Sequence, residues 1–188
     1  MRSVNDAIMT GSGTVMKDDP ELTVRLVKGK SPLRVVLDSA LRVPLASRVF
    51  RGLGEGDGRL IIFTTKDASR AKIEKARNLG AEVISVPASS GGVSIKSVLR
   101  ELGKREIISV LVEGGGKLAA SLIRESAVDK AVIFFAPMII GGDGIPSVGP
   151  LGLKGLGRAP RFERTAIKRA GADLMFEGYP VKGKKKPA

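Results

Sequence analysis

Val110-Leu111-Val112-Glu113-Gly114-Gly115-Gly116-Lys117 joins a strand-like run to a helix-like run across three adjacent glycines. Without Cβ atoms the backbone there can come close to a ligand, and the N–H groups that open a helix can hold a phosphate. Nucleotide pyrophosphate is the natural candidate. The segment is neither G-x-G-x-x-G nor a Walker loop, because Leu118 rather than Ser or Thr follows Lys117. A tight strand-to-helix turn without any ligand explains the glycines equally well. Glu113 adds weight to the ligand, because a carboxylate ending a buried strand accepts hydrogen bonds from a hydroxyl or an amine.

A second constellation runs from Gly11-Ser12-Gly13-Thr14 to Asp18-Asp19-Pro20-Glu21-Leu22-Thr23-Val24-Arg25. As a lone pair, Asp18 and Asp19 read as a turn ahead of Pro20. Arg25 suits bidentate capture of a phosphate. In a chain without histidine, Asp18 is also the side chain best suited to manage a proton. A third place, Asp38-Ser39-Ala40-Leu41-Arg42, sets a hydroxyl near a guanidinium at a strand end. Such a pair can take an adenosine 2′-phosphate and favour NADPH over NADH. A turn serine beside a solvated arginine is the plainer alternative.

The elements that must position these residues follow from periodicity. Asp6–Gly11, Leu33–Asp38, Leu60–Thr64, Val83–Val86, Ile107–Glu113 and Asp129–Ala136 read as strands. The first runs into a Gly-rich turn. Helices are predicted over Thr65–Leu79, capped near Thr65 or Asp67, over Ser94–Leu102, and over Lys117–Glu125. Residues 141–157 are loop-like and glycine-rich, and Phe162–Arg169 with Asp173–Tyr179 form an antiparallel hairpin. The alternation predicts a single α/β domain over residues 1–180, with a basic tail at 181–188.

Composition narrows the chemistry. With no His and no Cys, the chain has no Ser-His-Asp triad, no Cys nucleophile, no thiolate or imidazole zinc site and no zinc-deaminase signature. No metal is expected. At 188 residues the chain can bury roughly 70% of the surface its unfolded form exposes, enough for one sizeable core. No apolar run approaches the ~18 residues of a membrane span, and no signal sequence is visible, so a cytoplasmic protein is expected. Lys plus Arg exceed Asp plus Glu by 32 to 19, which raises the question of nucleic acid. The only dense basic run is Lys182-Gly183-Lys184-Lys185-Lys186, and aromatic residues are 4% with no Trp, so stacking platforms are few and nucleic acid is not the expected partner.

Taken in order, DAIMTGSGTVMKDDPELTVR, RVVLDSALRVP, LVEGGGKLAASLI, VDKAVIFFAPMIIGG and the closing hairpin resemble the reductase domain of the bifunctional riboflavin-biosynthesis deaminase/reductase. The resemblance covers residues 6 to 180. It implies a dihydrofolate-reductase-like three-layer α/β/α fold with a central mostly parallel sheet. It also implies hydride delivery from NADPH to the ribosyl group of a phosphorylated ribosylaminopyrimidine, 5-amino-6-(5-phosphoribosylamino)uracil, and a homodimer. By position, Thr14 and Asp18 would touch NADPH, Ser39 would lie at its phosphate end, and Gly115, Gly116, Lys117, Leu118, Ala119, Ala120 and Ser121 would wrap its pyrophosphate. Leu22, Arg25 and Glu113 would bind substrate. The resemblance excludes the deaminase reaction, which needs a His and Cys zinc set. It also implies that Met1–Asp6 align with the end of a helix, so that a preceding strand with a Ser-x-Asp-Gly turn is missing and sheet edges are left open. Alternatives are an inactive nucleotide-binding or oligomerisation remnant of that domain, reduction of the not-yet-deaminated pyrimidine, a reductase of a neighbouring pterin, and a nucleic-acid binder working through its lysine tail.

Overall fold

The computed structural model describes residues 1–25, 27–54, 58–90 and 92–181. The lysine run of the expected tail lies outside the described residues. The chain proceeds through β1 (Ala7–Gly11), α1 (Ser12–Asp18), β2 (Leu33–Leu37), β3 (Leu60–Thr64), α2 (Arg70–Asn78), β4 (Glu82–Ser85), β5 (Ala88–Ser89), β6 (Gly92–Val93) and α3 (Ile95–Gly103). It continues through β7 (Val110–Val112), α4 (Gly116–Arg124), β8 (Ala131–Phe135), β9 (Phe162–Ala170) and β10 (Asp173–Pro180).

Every residue of β2 and β3 is buried, as strands covered on both faces of a parallel sheet require. They lie in a five-stranded parallel sheet ordered β4-β3-β2-β1-β7. Side chains alternate across it. Ala7, Met9, Val35, Leu37, Ile61 and Phe63 face α3 and α4, which contribute Val98, Leu102, Leu118 and Leu122. Ile8, Val36, Leu60 and Ile62 face the opposite side, packed with Val15 of α1, Ala76 of α2 and the loop residues Leu41, Val43 and Val49. The result is the expected three-layer arrangement. A second, three-stranded antiparallel sheet is ordered β8-β10-β9, so the anticipated hairpin gains β8 as a third strand. Among the described residues β7 pairs only with β1 and β8 only with β10, and each sheet ends there on an open edge.

Several local expectations are corrected. The supposed Gly-rich turn after β1 is the helix α1, which forms despite Gly13 because Val15 packs into the core. The helix expected from Thr65 begins at Arg70. Thr65 instead donates its hydroxyl to the Ser39 carbonyl and to Asp67, holding residues 65–69 as a turn. The strand expected over 107–113 is reduced to Val110–Val112. One Asp6 carboxylate oxygen accepts from the backbone N–H groups of Ile108 and Ser109 and from the Ser109 hydroxyl, which turns the chain just before the strand.

Candidate active site

In parallel sheets ligands gather beyond the carboxyl ends of the strands. There β1 ends on Thr10 and Gly11, and β7 ends at Glu113 and the glycine turn. Gly114 adopts φ +111°, and a Cβ on it would lie 2.6 Å from Thr14 Oγ1 and 2.8 Å from Thr10 Oγ1. Only glycine lets the turn settle against these two hydroxyls. Thr10 is completely buried, and its hydroxyl has no hydrogen-bond partner among the described residues. Such a buried orphan calls for a partner. Gly115 caps α4. Gly116 serves packing instead: a Cβ there would strike the Pro146 carbonyl, and its own carbonyl accepts from Gly149 N at 2.8 Å.

Within the stretch expected to wrap a pyrophosphate, Leu118 and Ala120 are buried core residues and Ala119 is half-buried. Lys117 is exposed, and Ser121 donates its hydroxyl to the Lys117 carbonyl. The part of that stretch left open to a ligand is the backbone that opens α4, with Lys117 beside it.

Glu113 is held from the opposite end of the sequence. Arg2 Nε donates to its Oε1 at 3.0 Å and Arg2 Nη2 to its Oε2 at 2.6 Å, a bidentate fork. Arg2 Nη1 donates to the Thr23 carbonyl at 2.9 Å. One guanidinium thus ties the end of β7 to the loop carrying Leu22 and Arg25. The Glu113 carboxylate raises the Arg2 pKa above its usual value, against the lowering effect of burial. Each Glu113 oxygen keeps a lone pair for a ligand. Sequence reasoning missed Arg2, because a lone arginine 111 positions from its partner leaves no local pattern. The only available signal was that a carboxylate at a strand end needs a cation.

The loop after α1 is pinned by its own charges. Asp19, with φ 41°, accepts from Arg48 N at 2.7 Å. Glu21 accepts from Arg48 at 2.8 and 3.2 Å, and this contact, followed by the charges of Arg48, Arg25 and Arg51, holds its carboxyl below the usual range. Leu22 is 2% exposed with φ 58°, a strained conformation that its burial in the core maintains. Its side chain is core, so any substrate contact would pass through its main chain. Asp18 and Arg25 are exposed, and neither makes a side-chain hydrogen bond to a described residue. Thr14 and Asp18 share one face of α1 through their i, i+4 spacing.

Ser39 is half-buried at the end of β2, its hydroxyl 3.1 Å from where a Cβ on Gly92 would sit. Arg42 donates to the Ser12 hydroxyl at 3.1 Å and lies 3.8 Å from the buried Asp38 carboxylate, while Asp38 accepts from Val43 N at 2.8 Å. Among the described residues no hydrogen bond joins the Ser39 hydroxyl to the Arg42 guanidinium.

A family model described as the RibD C-terminal domain matches residues 1–176. The chain belongs to that family. A riboflavin biosynthesis protein RibD from Aquifex aeolicus is 34% identical over 177 residues, 94% of this chain and 47% of its own length. A 2,5-diamino-6-ribosylamino-4(3H)-pyrimidinone 5′-phosphate reductase from the same organism is 40% identical over 157 residues, covering 83% of this chain and 68% of its own length. The chain thus spans about half the length of the RibD relatives and two thirds of that reductase. Among solved structures, a Thermotoga maritima deaminase/5-amino-6-(5-phosphoribosylamino)uracil reductase superposes with a TM-score of 0.75 at 31% identity, over 96% of this chain and 47% of its own. Acinetobacter baumannii RibD, at 22% identity and a TM-score of 0.80, shares the fold. The dihydrofolate-reductase-like architecture expected for this RibD C-terminal domain is the one observed.

Proposed function

We propose that this domain is a cytoplasmic, homodimeric NADPH-dependent reductase of riboflavin biosynthesis, which reduces the ribosyl group of 5-amino-6-(5-phosphoribosylamino)uracil to ribityl. Supporting relatives carry reductase names for this substrate or its 2,5-diamino counterpart. The observation that carries the reading is the turn at Gly114, set against the hydroxyls of Thr10 and Thr14 and flanked by the Arg2–Glu113 fork.

The site fits a nicotinamide dinucleotide through its glycine-opened α4 terminus and the orphaned Thr10 hydroxyl. Thr14 and Asp18 hold the cofactor from α1, the backbone of Gly115, Gly116 and Lys117 takes its pyrophosphate, and Ser39 lies toward its phosphate end. When bound, NADPH supplies the hydride. Glu113, fixed by Arg2, accepts hydrogen bonds from the substrate. Arg25 takes the substrate phosphate as an exposed cation, the Leu22 main chain lines the approach, and Asp18 manages the proton.

Calorimetry with NADPH and NADH tests the cofactor half. Micromolar NADPH binding, much weaker NADH binding and loss of affinity in Gly115→Asp are expected; a folded chain binding neither cofactor overturns the assignment. Loss of NADPH absorbance with the deaminated and the diamino substrates separately then identifies the pyrimidine. A second reading, binding without turnover, is favoured by the exposure of Asp18 and Arg25. It predicts normal NADPH affinity with no oxidation by either pyrimidine.

A further inference from the structure

One guanidinium touches both of the elements that carry the substrate-binding candidates. The edge of Arg2 formed by Nε and Nη2 meets the Glu113 carboxylate at 3.0 and 2.6 Å, and its Nη1 meets the Thr23 carbonyl at 2.9 Å. Among the described residues the Glu113 carboxylate takes hydrogen bonds from Arg2 alone. Because a guanidinium is planar and rigid, the carboxylate and the carbonyl are held at a set separation. A lysine ammonium is a point charge on a flexible stem, so it can satisfy either partner without fixing one against the other. The side chains of Arg2 and Glu113 are 25% and 36% exposed, so water screens the pair only in part.

Arg2 is itself anchored. It opens a short 3-10 turn, Arg2–Val4, and the Asn5 side-chain amide donates back to the Met1 carbonyl at 2.9 Å. Asp6, which follows, accepts from Ile108 and Ser109 ahead of β7, and its carbonyl accepts from Leu33 N at 2.9 Å. The loop at the other end of the bridge has tethers on both sides of Thr23. Arg48 holds Asp19 and Glu21 before it, and Val24 N donates to the Ser31 hydroxyl at 3.1 Å after it. Arg2 joins this braced loop to the end of β7, so a displacement of Glu113 is felt two residues from Arg25.

We propose that Arg2 is a positioning residue that sets the separation between Glu113 and the loop carrying Arg25, so that the two ends of a phosphorylated substrate reinforce each other's binding. The proposal rests on the reductase reading, in which Glu113 accepts hydrogen bonds from the substrate and Arg25 takes its phosphate. Two anchors on one ligand help each other only when their spacing matches it: with one end bound, the other is presented at high effective concentration. Slack between the anchors removes that gain for a substrate with both ends and costs little for one that lacks the phosphate. Loosely held anchors weaken ground state and transition state alike, so the loss falls on KM rather than on kcat.

The test is steady-state reduction of the phosphorylated substrate and of its dephosphorylated riboside by the full chain, as wild type, Arg2→Lys and Arg2→Met, joined to amide exchange of the unliganded proteins. In Arg2→Met the KM for the phosphorylated substrate should rise about tenfold with kcat within about twofold, and the ratio of the riboside KM to the phosphate KM should shrink about threefold. Arg2→Lys should fall between. An equal rise in both KM values, or a fall in kcat alone, overturns the proposal. The Val24 amide, bonded to Ser31, reports without turnover: its exchange should quicken about threefold in Arg2→Met and in Glu113→Gln, although neither substitution touches the Val24–Ser31 pair. Wild-type Val24 exchange in Glu113→Gln overturns the coupling. Should Arg2→Met lose its far-ultraviolet spectrum, Arg2→Lys and Glu113→Gln carry the same test. If the wild type oxidises no NADPH with either substrate while Val24 responds, the reductase reading fails and the Arg2 link stands.

Discussion

The two sheets of this domain solve the same problem unequally. In the parallel sheet Ile8, Met9, Val35, Val36, Ile62 and Phe63 are completely buried, sealed by helices on both faces. In the antiparallel sheet Phe134 is 51% exposed and Ile167 71%, left uncovered among the described residues. That sheet relies on its ladder, an edge-to-face contact of Phe162 with Phe176, and the bridging of Lys130 and Lys168 by Glu177. The lesson is that covered area, more than strand content, sets local stability.

The sharpest way to break this comparison is a matched pair of truncations. Phe63→Ala should cost about 3–5 kcal/mol in chemical denaturation, as for a buried phenylalanine, while Phe134→Ala should cost less than about 1 kcal/mol. Similar values for both would show that something else covers Phe134. Next comes Gly114→Ala, where the positive φ and the hydroxyls of Thr10 and Thr14 leave no room for a Cβ. Strain of about 1–3 kcal/mol and a clear loss of NADPH affinity are expected. Unchanged denaturation and binding would show that the turn relaxes.

A finer probe is Thr10→Val, which removes a buried, unpartnered hydroxyl at constant shape. Stability should be unchanged or slightly higher while NADPH affinity falls. A destabilised protein would mean that the hydroxyl has a structural partner. The smallest effect concerns acid. The Lys130 hydrogen bond, with the charges of Lys130 and Lys168, holds the Glu177 carboxyl below its usual value. Its folded pKa is thus depressed, so its contribution is present above the ordinary glutamate range and fades as pH falls through the folded value. Tyr179, the sole tyrosine in a chain without tryptophan, lies on β10 and reports that sheet by fluorescence. In Glu177→Gln the fluorescence midpoint should vary less with pH below the glutamate range; an unchanged acid dependence would remove Glu177 from the account.

The contrast also governs what the sequence revealed. Continuous runs such as Val35-Val36-Leu37 and Ile61-Ile62-Phe63 announce a sheet buried on both faces, because nothing polar interrupts them. The helix α1 was hidden, since a seven-residue segment with a glycine carries almost no periodic signal and depends on tertiary packing. In the candidate site, Glu113 and the glycines were legible because chemistry and spacing coincide within a few residues. Arg2 was not, and neither was the turning of Arg42 toward Ser12. Both are long-range choices that local propensity does not encode.

The short strand β7 has a consequence for amide exchange. Its hydrogen bonds to β1 alternate: Glu113 N donates to Met9 O, while Ser109 O accepts from Ala7 N. By the same alternation the N–H groups of Val110 and Val112 point to the open side. Those two amides should trade deuterium rapidly although their neighbours Leu111 and Glu113 are protected. Their slowing in the presence of any added peptide, pyrimidine or second protomer would give a residue-level footprint of whatever comes to lie along that margin.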